Sequence, residues 1–428
     1  GGIDEEGDGD DGEGTQDVAS VEAYKRQVIE QSAELVRSLC ELVYERYAKL
    51  LRTRKDTHAK LPLTEFVKVN KMVIEFVRDV QHLSAAPGHT LTAEVQAHAK
   101  AFMDANFEDS CRKLEACVEL EQWKQVEVPA EFQEIVDELT RNQVPRLQES
   151  DLMRLREQDA AAEQPAAAKD LLVAGSGYKV VGSGLLLLTV VAHCLQCVAS
   201  MQSVASQVSH MLPSLLKRFH TKAYQQVLKG GAMRLESAGL RSINAKHIAL
   251  SSQSLGLVLA LLPHLKAVLS AYLPDGQRRL LKEMDHATSD YEEHTQQLFS
   301  KLVTILEDRR LACMKNIKEV LAPMDAKRQP EPSANIKTVV KDLTSMYKQL
   351  QPLLTRSQLH IVFNQILDTF DAGLLASYRT VDAAPAYSRQ CVVQDVHYIR
   401  KEVAKLHLSL PQGCCPELVA FAQSLPLA

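Results

Sequence analysis

The sequence predicts an all-α protein, an elongated rod of stacked helical bundles with one small β-hairpin near 171–182. Apolar residues recur at three- and four-residue steps along most of the 428 residues, which is the spacing of one helix face. Aromatic residues make up only 5% of the chain, so Leu, Val and Ala supply most of the core, a balance that favours packed helices. The segment 180–216 contains no Asp, Glu, Lys or Arg, which predicts a central helix covered on nearly all sides.

Composition divides the chain into five segments. Residues 1–20 hold eight acidic residues, no basic residue and little apolar surface, which predicts a disordered acidic linker. Residues 21–140 predict a helical bundle, and the charges, prolines and Ala-rich tract of 141–169 predict a second, partly helical linker. Residues 170–274 predict the hairpin with a central helical bundle, and residues 275–428 predict a C-terminal helical bundle.

Local signals place the individual elements. Two β-prone runs around Gly175-Ser176-Gly177 predict the hairpin. Asn244 and Asn335 are each predicted to cap a helix. The last helix, about Ser388 to Leu410, has apolar residues at alternating four- and three-residue steps, which predicts a narrow packing seam. Predicted core positions are Leu185, Leu188 and Leu195 in the central helix, Ile399, Val403 and Leu406 in the last helix, and a stripe of Val36, Leu39, Val43, Tyr47 and Leu50 in the first.

Charge and cysteine content restrict the function classes. Because the acidic linker holds eight acidic residues, the rest of the chain is nearly neutral and gives no electrostatic reason to bind nucleic acid. Nine cysteines, an odd number spread through helical patterns, predict reduced thiols in the cytosol. The chain shows no signal peptide and opens without Met, so we expect it to be part of a longer protein.

The uncharged segment also raises the question of a membrane span. A spanning helix needs about 20 consecutive apolar residues. His193, Gln196 and Ser200 interrupt the run, and such polar groups would lose their water partners in lipid. We therefore predict a buried helix of a soluble domain, with a membrane or re-entrant segment as the alternative.

Few residues suggest chemistry. His286, Asp290 and His294 lie on one helical stripe and form a weak candidate metal site, although the first and third stand about 12 Å apart along a helix. The pair Cys194 and Cys197 forms a CxxC within the buried helix, where we expect thiols to pack as small apolar groups. The sequence contains no complete phosphate-binding, hydrolase or zinc-protease motif, so we predict no catalytic residue, no cofactor and no enzyme.

Basic clusters are the main surface candidates. Arg52 to Lys55, Lys217-Arg218 with Lys222, and Arg278-Arg279 with Lys282 are typical of solvated helix faces, with contact to acidic partners or anionic lipid headgroups as the alternative. The residues predicted for an interface are Trp123, Lys217, Arg218, Arg278 and Arg279.

Four blocks of sequence, in this order, carry a family resemblance: Trp123 to Gln133, Tyr178 to Gly182 running into Leu185 to Leu188, Ala249 to Ser252, and Asp285-His286 with Asp290-Tyr291 and His294. They resemble the Vps-fifty-four subunits of the Golgi-associated retrograde protein (GARP) tethering complex. The resemblance covers about residues 25–428, the middle and C-terminal half of such a subunit, and it is loosest in the final helix and after Pro411.

The resemblance implies a non-catalytic subunit of a vesicle-tethering complex. Its expected role is retrograde transport from endosomes to the trans-Golgi network, at the cytosolic face of those membranes, with this half helping to recognise endosome-derived vesicles. The expected partners are sister GARP subunits, mainly through the absent N-terminal half, together with SNAREs, small GTPases and the membrane surface. The alternative is a helical scaffold or small-GTPase effector of another trafficking assembly.

Overall fold

The computed structural model describes most of the chain. It covers residues 12–84, 87–147, 168–230, 238–240, 242–322, 330–381, 385–408, 410 and 413–426, with side chains from Ser20 onward. The first half of the predicted acidic linker and most of the predicted linker at 141–169 therefore lie outside the described residues. Helix α1 begins at Gly12, earlier than the predicted start at Val21.

The described residues form helices and one two-stranded sheet, which confirms the predicted all-α class with a small hairpin. The elements in chain order are α1 Gly12–His58, α2 Leu63–Ser84, α3 His89–Glu119, α4 Ala130–Thr140, β1 Leu171–Val173, β2 Ser176–Tyr178, α5 Gly182–Ser200, α6 Ala205–Val227, α7 Ala245–Tyr272, a 3-10 helix Asp275–Lys282, α8 Glu283–Met314, α9 Ile317–Val320, α10 Ala334–Leu350, α11 Arg356–Tyr378, α12 Ala386–Ala404 and α13 Pro416–Ser424.

The chain forms two compact units. The first comprises residues 1–109 and 197–207. Its core is made where α1 packs on α2 and on the start of α3, and the phenol of Tyr44 donates a hydrogen bond to the Val77 carbonyl at 3.3 Å. Buried residues of this core are Tyr44, Ala48, Leu51, Val73, Val77, Val80, Leu91 and Val95.

The second unit comprises residues 110–196 and 208–428. Helix α8 is at its centre and packs on α7, α10 and α11. Helices α12 and α13 contact each other, and they also contact α10 and α11 respectively. Helix α4 and the hairpin pack on α7. This arrangement buries apolar residues of α8 that recur at three- and four-residue steps, namely Tyr291, Leu298, Leu302 and Leu306.

The hairpin has the predicted position and a tight turn. Leu171 pairs with Tyr178 and Val173 with Ser176 in an antiparallel register. The two turn residues, Ala174 and Gly175, have φ values of 46° and 83°. Positive φ at both central positions matches the right-handed twist of paired strands, and glycine adopts it without steric cost.

The uncharged segment folds as two helices. Helix α5 ends at Ser200 and α6 begins at Ala205, with a short 3-10 turn between them. By length and composition alone, α5 and α7 could each cross a membrane, but 67% and 50% of their most apolar windows are buried within the protein. Of the predicted core positions, Leu188 and Leu195 are buried and Leu185 is half-buried.

The sequence places one helix cap correctly and another wrongly. The Asn244 side chain accepts hydrogen bonds from the backbone N–H groups of Lys246 and His247 at the start of α7. For α10, Ser333 is the capping residue, because its hydroxyl accepts from the Ile336 N–H at 3.2 Å. The predicted cap Asn335 lies inside the helix instead.

The C-terminal part differs most from the prediction. Helix α12 ends at Ala404, so Ile399 and Val403 are buried helical residues while Leu406 is buried in the turn that follows. The next residue, His407, has a φ of 50°, a left-handed conformation that ends the helix before the predicted Leu410. Beyond it, Pro416 starts α13, a helix that the sequence analysis did not predict.

Candidate interaction surfaces

The three residues of the weak candidate metal site do not converge. All lie on α8, but His286 and Asp290 are exposed while His294 is buried. In the part of the chain that the structure describes, no group of three or more His, Cys, Asp or Glu is placed to hold a metal ion. The three side chains are kept apart because residues i and i+8 differ by about 12 Å along the axis and by about 80° around it.

His294 belongs to a buried aromatic cluster. Its ring meets the rings of His220 and Tyr224 on α6 edge-on, with centroids 4.8 and 4.9 Å apart. Neither ring nitrogen of His294 has a hydrogen-bond partner among the described residues. Burial, followed by the nearby His220, lowers the pKa of His294 to about 3. His294 is therefore neutral at ordinary pH and packs as an aromatic ring.

Trp123 is a core residue and does not form part of a surface. Its side chain is 1% exposed and its indole N–H donates to Gln226 Oε1 at 2.9 Å. The amide nitrogen of Gln226 in turn donates to the carbonyls of Glu119 and Glu121. The Glu121 carboxylate accepts from the Ser183 N–H at 2.8 Å, at the start of α5. The predicted interface role of Trp123 is thus replaced by a role in joining α3, α5 and α6.

The basic cluster on α6 is partly neutralised within the second unit. Arg218 lies 3.6 Å from the Glu115 carboxylate, and Lys222 pairs with Glu119. Lys217 is exposed, and none of the ion pairs between described residues includes it. Lys217 is therefore the cation of this cluster that remains available to a partner.

The second basic cluster lies in the 3-10 helix. Arg278 pairs with Asp275 at 3.0 Å, but both side chains are more than half exposed, so the pair contributes little to stability. Arg279 and Lys282 are also exposed. These side chains present positive charge to solvent, as the sequence predicts for a solvated face or a contact with an anionic partner.

The CxxC thiols lie in the interior. Cys194 and Cys197 are buried in α5, and burial raises the pKa of Cys194 to about 12. Such a thiol does not ionise at neutral pH and has little reactivity. At the other end of the chain, Cys415 is buried beside Cys414, with their sulfur atoms 3.7 Å apart.

The structure shows buried acidic groups that the sequence analysis did not single out. Asp395 is fully buried and accepts hydrogen bonds from the Ser333 N–H, the Ser333 hydroxyl and the Tyr378 hydroxyl. Desolvation raises the pKa of Asp395 even though these donors favour the ionised form. Asp371 accepts from the first N–H groups of α13, as a carboxylate at a helix N-terminus does. In the sequence, the only indication of these two buried carboxylates is that each acidic residue lies within an apolar helical stripe.

Most of the exposed large apolar side chains among the described residues lie on α1. The sequence predicts Val36, Leu39 and Val43 in a buried stripe, together with Tyr47 and Leu50. All five are exposed, Leu39 to 53%. Helix α1 instead turns to α2 a face with Tyr44 and Ala48 at its centre, and the ring of Tyr47, at the edge of that face, lies 4.9 Å from the ring of Phe76 between centroids.

Comparison with known proteins identifies the family of the chain. A family model described as Vps54-like protein matches residues 175–309, which include strand β2, α5 to α7 and most of α8. Human vacuolar protein sorting-associated protein 54 is 30% identical over 354 residues, covering 82% of this chain and 34% of the human protein.

Proteins of the same name from other organisms match the chain at lower identity. The protein of this name from Arabidopsis thaliana, which is labelled chloroplastic, is 25% identical over 449 residues and covers 90% of this chain. The Drosophila melanogaster protein is 23% identical over 350 residues. The chain spans about a third of the length of the human and fly relatives. No solved structure matches the chain significantly.

Proposed function

Because the chain belongs to the Vps54-like family, we propose that it is a non-catalytic subunit of a vesicle-tethering complex. The observation that carries this proposal is the agreement with vacuolar protein sorting-associated protein 54 over 82% of the chain. The proposed complex is of the GARP type and acts in retrograde transport from endosomes to the trans-Golgi network. Within it, this part of the subunit helps to recognise endosome-derived vesicles.

The disposition of the polar residues supports a binding role over a catalytic one. The buried polar groups of the second unit join one helix to another: Gln226 joins α6 to the segment after α3, and Asp395 joins α12 to α10 and α11. The Gln226 and Asp395 side chains are thus hydrogen-bonded within the fold. A subunit that works through its surfaces needs such a fixed helical framework.

The proposed partners follow the family. They are the sister subunits, mainly through the part of the subunit that this chain does not include, together with SNAREs, small GTPases and the cytosolic face of endosomal and trans-Golgi membranes. Exposed cations such as Lys217 and Arg279 offer weak attraction to an anionic membrane surface. Nucleic acid is not among the proposed partners.

Relocation of the chain inside cells tests this proposal. The chain is anchored on mitochondria, and vesicles carrying cargo from endosomes are counted around them. We expect accumulation with the native chain and none with Leu302→Asp, because a carboxylate at this fully buried position disrupts the second unit. Equal counts with the two chains, when both are expressed to the same level, would contradict vesicle recognition by this part of the subunit.

The alternative of a small-GTPase effector has its own test. The purified chain is mixed with a panel of immobilised trafficking GTPases, each loaded with GDP or with a non-hydrolysable GTP analogue. An effector binds one GTPase in its GTP-bound state only. Binding that is independent of the nucleotide, together with vesicle capture, favours the tether.

A further inference from the structure

Helix α1 carries an exposed apolar face that extends over most of its length. We define the α1 outer face as the eleven large apolar side chains of this helix that are exposed. Counted at about 100° per residue, they fall within a sector of about 140°. They run for about 45 Å along the helix at about 1.5 Å per residue. The members are Val21, Tyr24, Val28, Ile29, Leu35, Val36, Leu39, Leu42, Val43, Tyr47 and Leu50.

The first half of α1 has no packing partner among the described residues. Every side chain from Ser20 to Leu39 is exposed. An isolated helix gains little stability in water, and most helical stability in proteins comes from packing an apolar face. Within this half, the side chains of Ile29 and Leu35 are 67% and 63% exposed. This pattern indicates a face that another element covers.

Part of the α1 outer face has a seven-residue repeat. One column of residues repeats every seven positions, and a second column, about 80° away around the helix, does the same. A strict seven-residue repeat holds one face of a helix against another helix as the two wind around each other. The columns are Val21, Val28, Leu35 and Leu42, and Ile29, Val36, Val43 and Leu50.

Charge determines which kind of helix fits. Between Ser20 and Leu50, the sector of the α1 outer face contains two cations, Lys25 and Arg46, and no Asp or Glu. Neither cation takes part in an ion pair with another described residue. A second copy of α1 would place Lys25 and Arg46 against each other when antiparallel, and each against itself when parallel. Self-pairing is therefore disfavoured, whereas carboxylates on the partner would complement both cations.

The opposite side of α1 argues against a lipid partner. It carries the glutamates 30, 34, 41 and 45 with only two cations, Arg26 and Arg37, so negative charge predominates. Helices that lie on anionic membranes place Lys and Arg on their polar face, since acidic groups there are repelled by the headgroups. The α1 outer face thus has the repeat of a helix-binding surface and a polar face unsuited to an anionic membrane.

We infer that the α1 outer face binds an α-helix of another polypeptide, one with apolar residues at a seven-residue repeat and carboxylates opposite Lys25 and Arg46. This surface belongs to the first unit of the chain. The inference therefore goes beyond the proposed function, and it does not depend on the vesicle-binding role.

A peptide titration tests the inference with the full 428-residue chain. The probe is a fluorescent synthetic peptide of about four heptads, with Leu and Ile on one face and Glu beside it. A second peptide has Lys in place of every Glu. The chain is compared with the double variant Leu35→Gln/Leu42→Gln and with a matched control, Glu34→Gln/Glu41→Gln, which introduces the same side chains on the opposite side of α1. Circular dichroism checks that helix content is retained.

We expect the acidic peptide to bind the native chain and the control equally, and to bind the leucine variant at least about tenfold more weakly. The basic peptide should also bind at least about tenfold more weakly. Equal binding of the acidic peptide to all three chains, or no binding to any, would overturn the inference. Two other results would also overturn it: binding only to phosphatidylserine vesicles, or a dimer in sedimentation velocity that the leucine substitutions abolish while no peptide binds.

Discussion

Acidification should destabilise the second unit through His294, and one substitution isolates this effect. The side chain is 1% exposed, and no described residue accepts a hydrogen bond from its ring nitrogens, which would stabilise a positive charge. Its pKa is about 3 in the folded protein and about 6.5 when unfolded. Because the folded pKa is the lower one, the unfolded chain takes up a proton at higher pH than the folded chain does. The stability contributed by neutral His294 is thus complete above about pH 6.5 and is lost as the pH falls toward 3.

The magnitude follows from proton linkage. Between pH 7 and pH 5 the unfolded His294 becomes protonated while the folded one stays neutral. For one such group the free energy of unfolding falls by about 2 kcal/mol over this interval. Burial also lowers the pKa of His220, so the native chain loses more than this single contribution. Comparison with a variant that lacks the His294 ring separates the contribution of His294 from that of His220.

Urea unfolding followed by tryptophan fluorescence measures this directly. Trp123 is the single tryptophan and lies in the same unit as His294, so its fluorescence reports the unfolding of that unit. We expect the free energy of unfolding to fall between pH 7 and pH 5 by about 2 kcal/mol less in His294→Gln than in the native chain. The control is His286→Gln on the exposed side of α8, which should behave as the native chain does. An equal pH dependence in His294→Gln and the native chain would refute the assignment of a neutral, buried imidazole.

Three further substitutions test the packing of the second unit. A Cβ on Gly373 would lie 2.5 Å from the guanidinium of buried Arg310, so Gly373→Ala should lower the free energy of urea unfolding by about 1–3 kcal/mol, whereas Gly276→Ala, with open space around it, should have no effect. Asp395→Asn replaces one carboxylate oxygen, an acceptor, by an NH2 group at a site that faces three hydrogen-bond donors. It should lower the free energy of unfolding by about 1–3 kcal/mol in the same assay. Leu406→Gln puts an amide at a buried position and should cost about 2–4 kcal/mol, seen as a lower melting temperature in calorimetry; an unchanged melting temperature would contradict its burial.

The sequence was sufficient for the fold class because helix periodicity is a local property. The hairpin at 171–178 and the Asn244 cap were found for the same reason, since turn and cap chemistry depend on neighbouring residues. The end of α12 was predicted too late because the apolar spacing continues through Leu410. What ends the helix is the left-handed backbone at His407, which the residue type does not predict.

Predictions about surfaces failed where they needed tertiary contacts. A single Trp in a family-like block suggests an exposed anchor, but the indole N–H meets Gln226, 103 positions away. The stripe that includes Leu39 predicts burial, yet the neighbouring face with Tyr44 supplies the contact with α2. Periodicity shows that a helix has an apolar side. It does not show whether this chain or another covers that side.

These corrections together change which part of the chain is expected to bind partners. Trp123 and His294, which the sequence analysis offered as an interface residue and a metal ligand, both stabilise the second unit from within. The cations Arg218 and Lys222 are partly matched by acidic residues of α3. By contrast, the α1 outer face combines exposed apolar area, a seven-residue repeat and two cations that form no ion pair with another described residue. An exposed apolar area of this length in a stable protein marks an interaction site, so partner binding in this region is best sought first along α1.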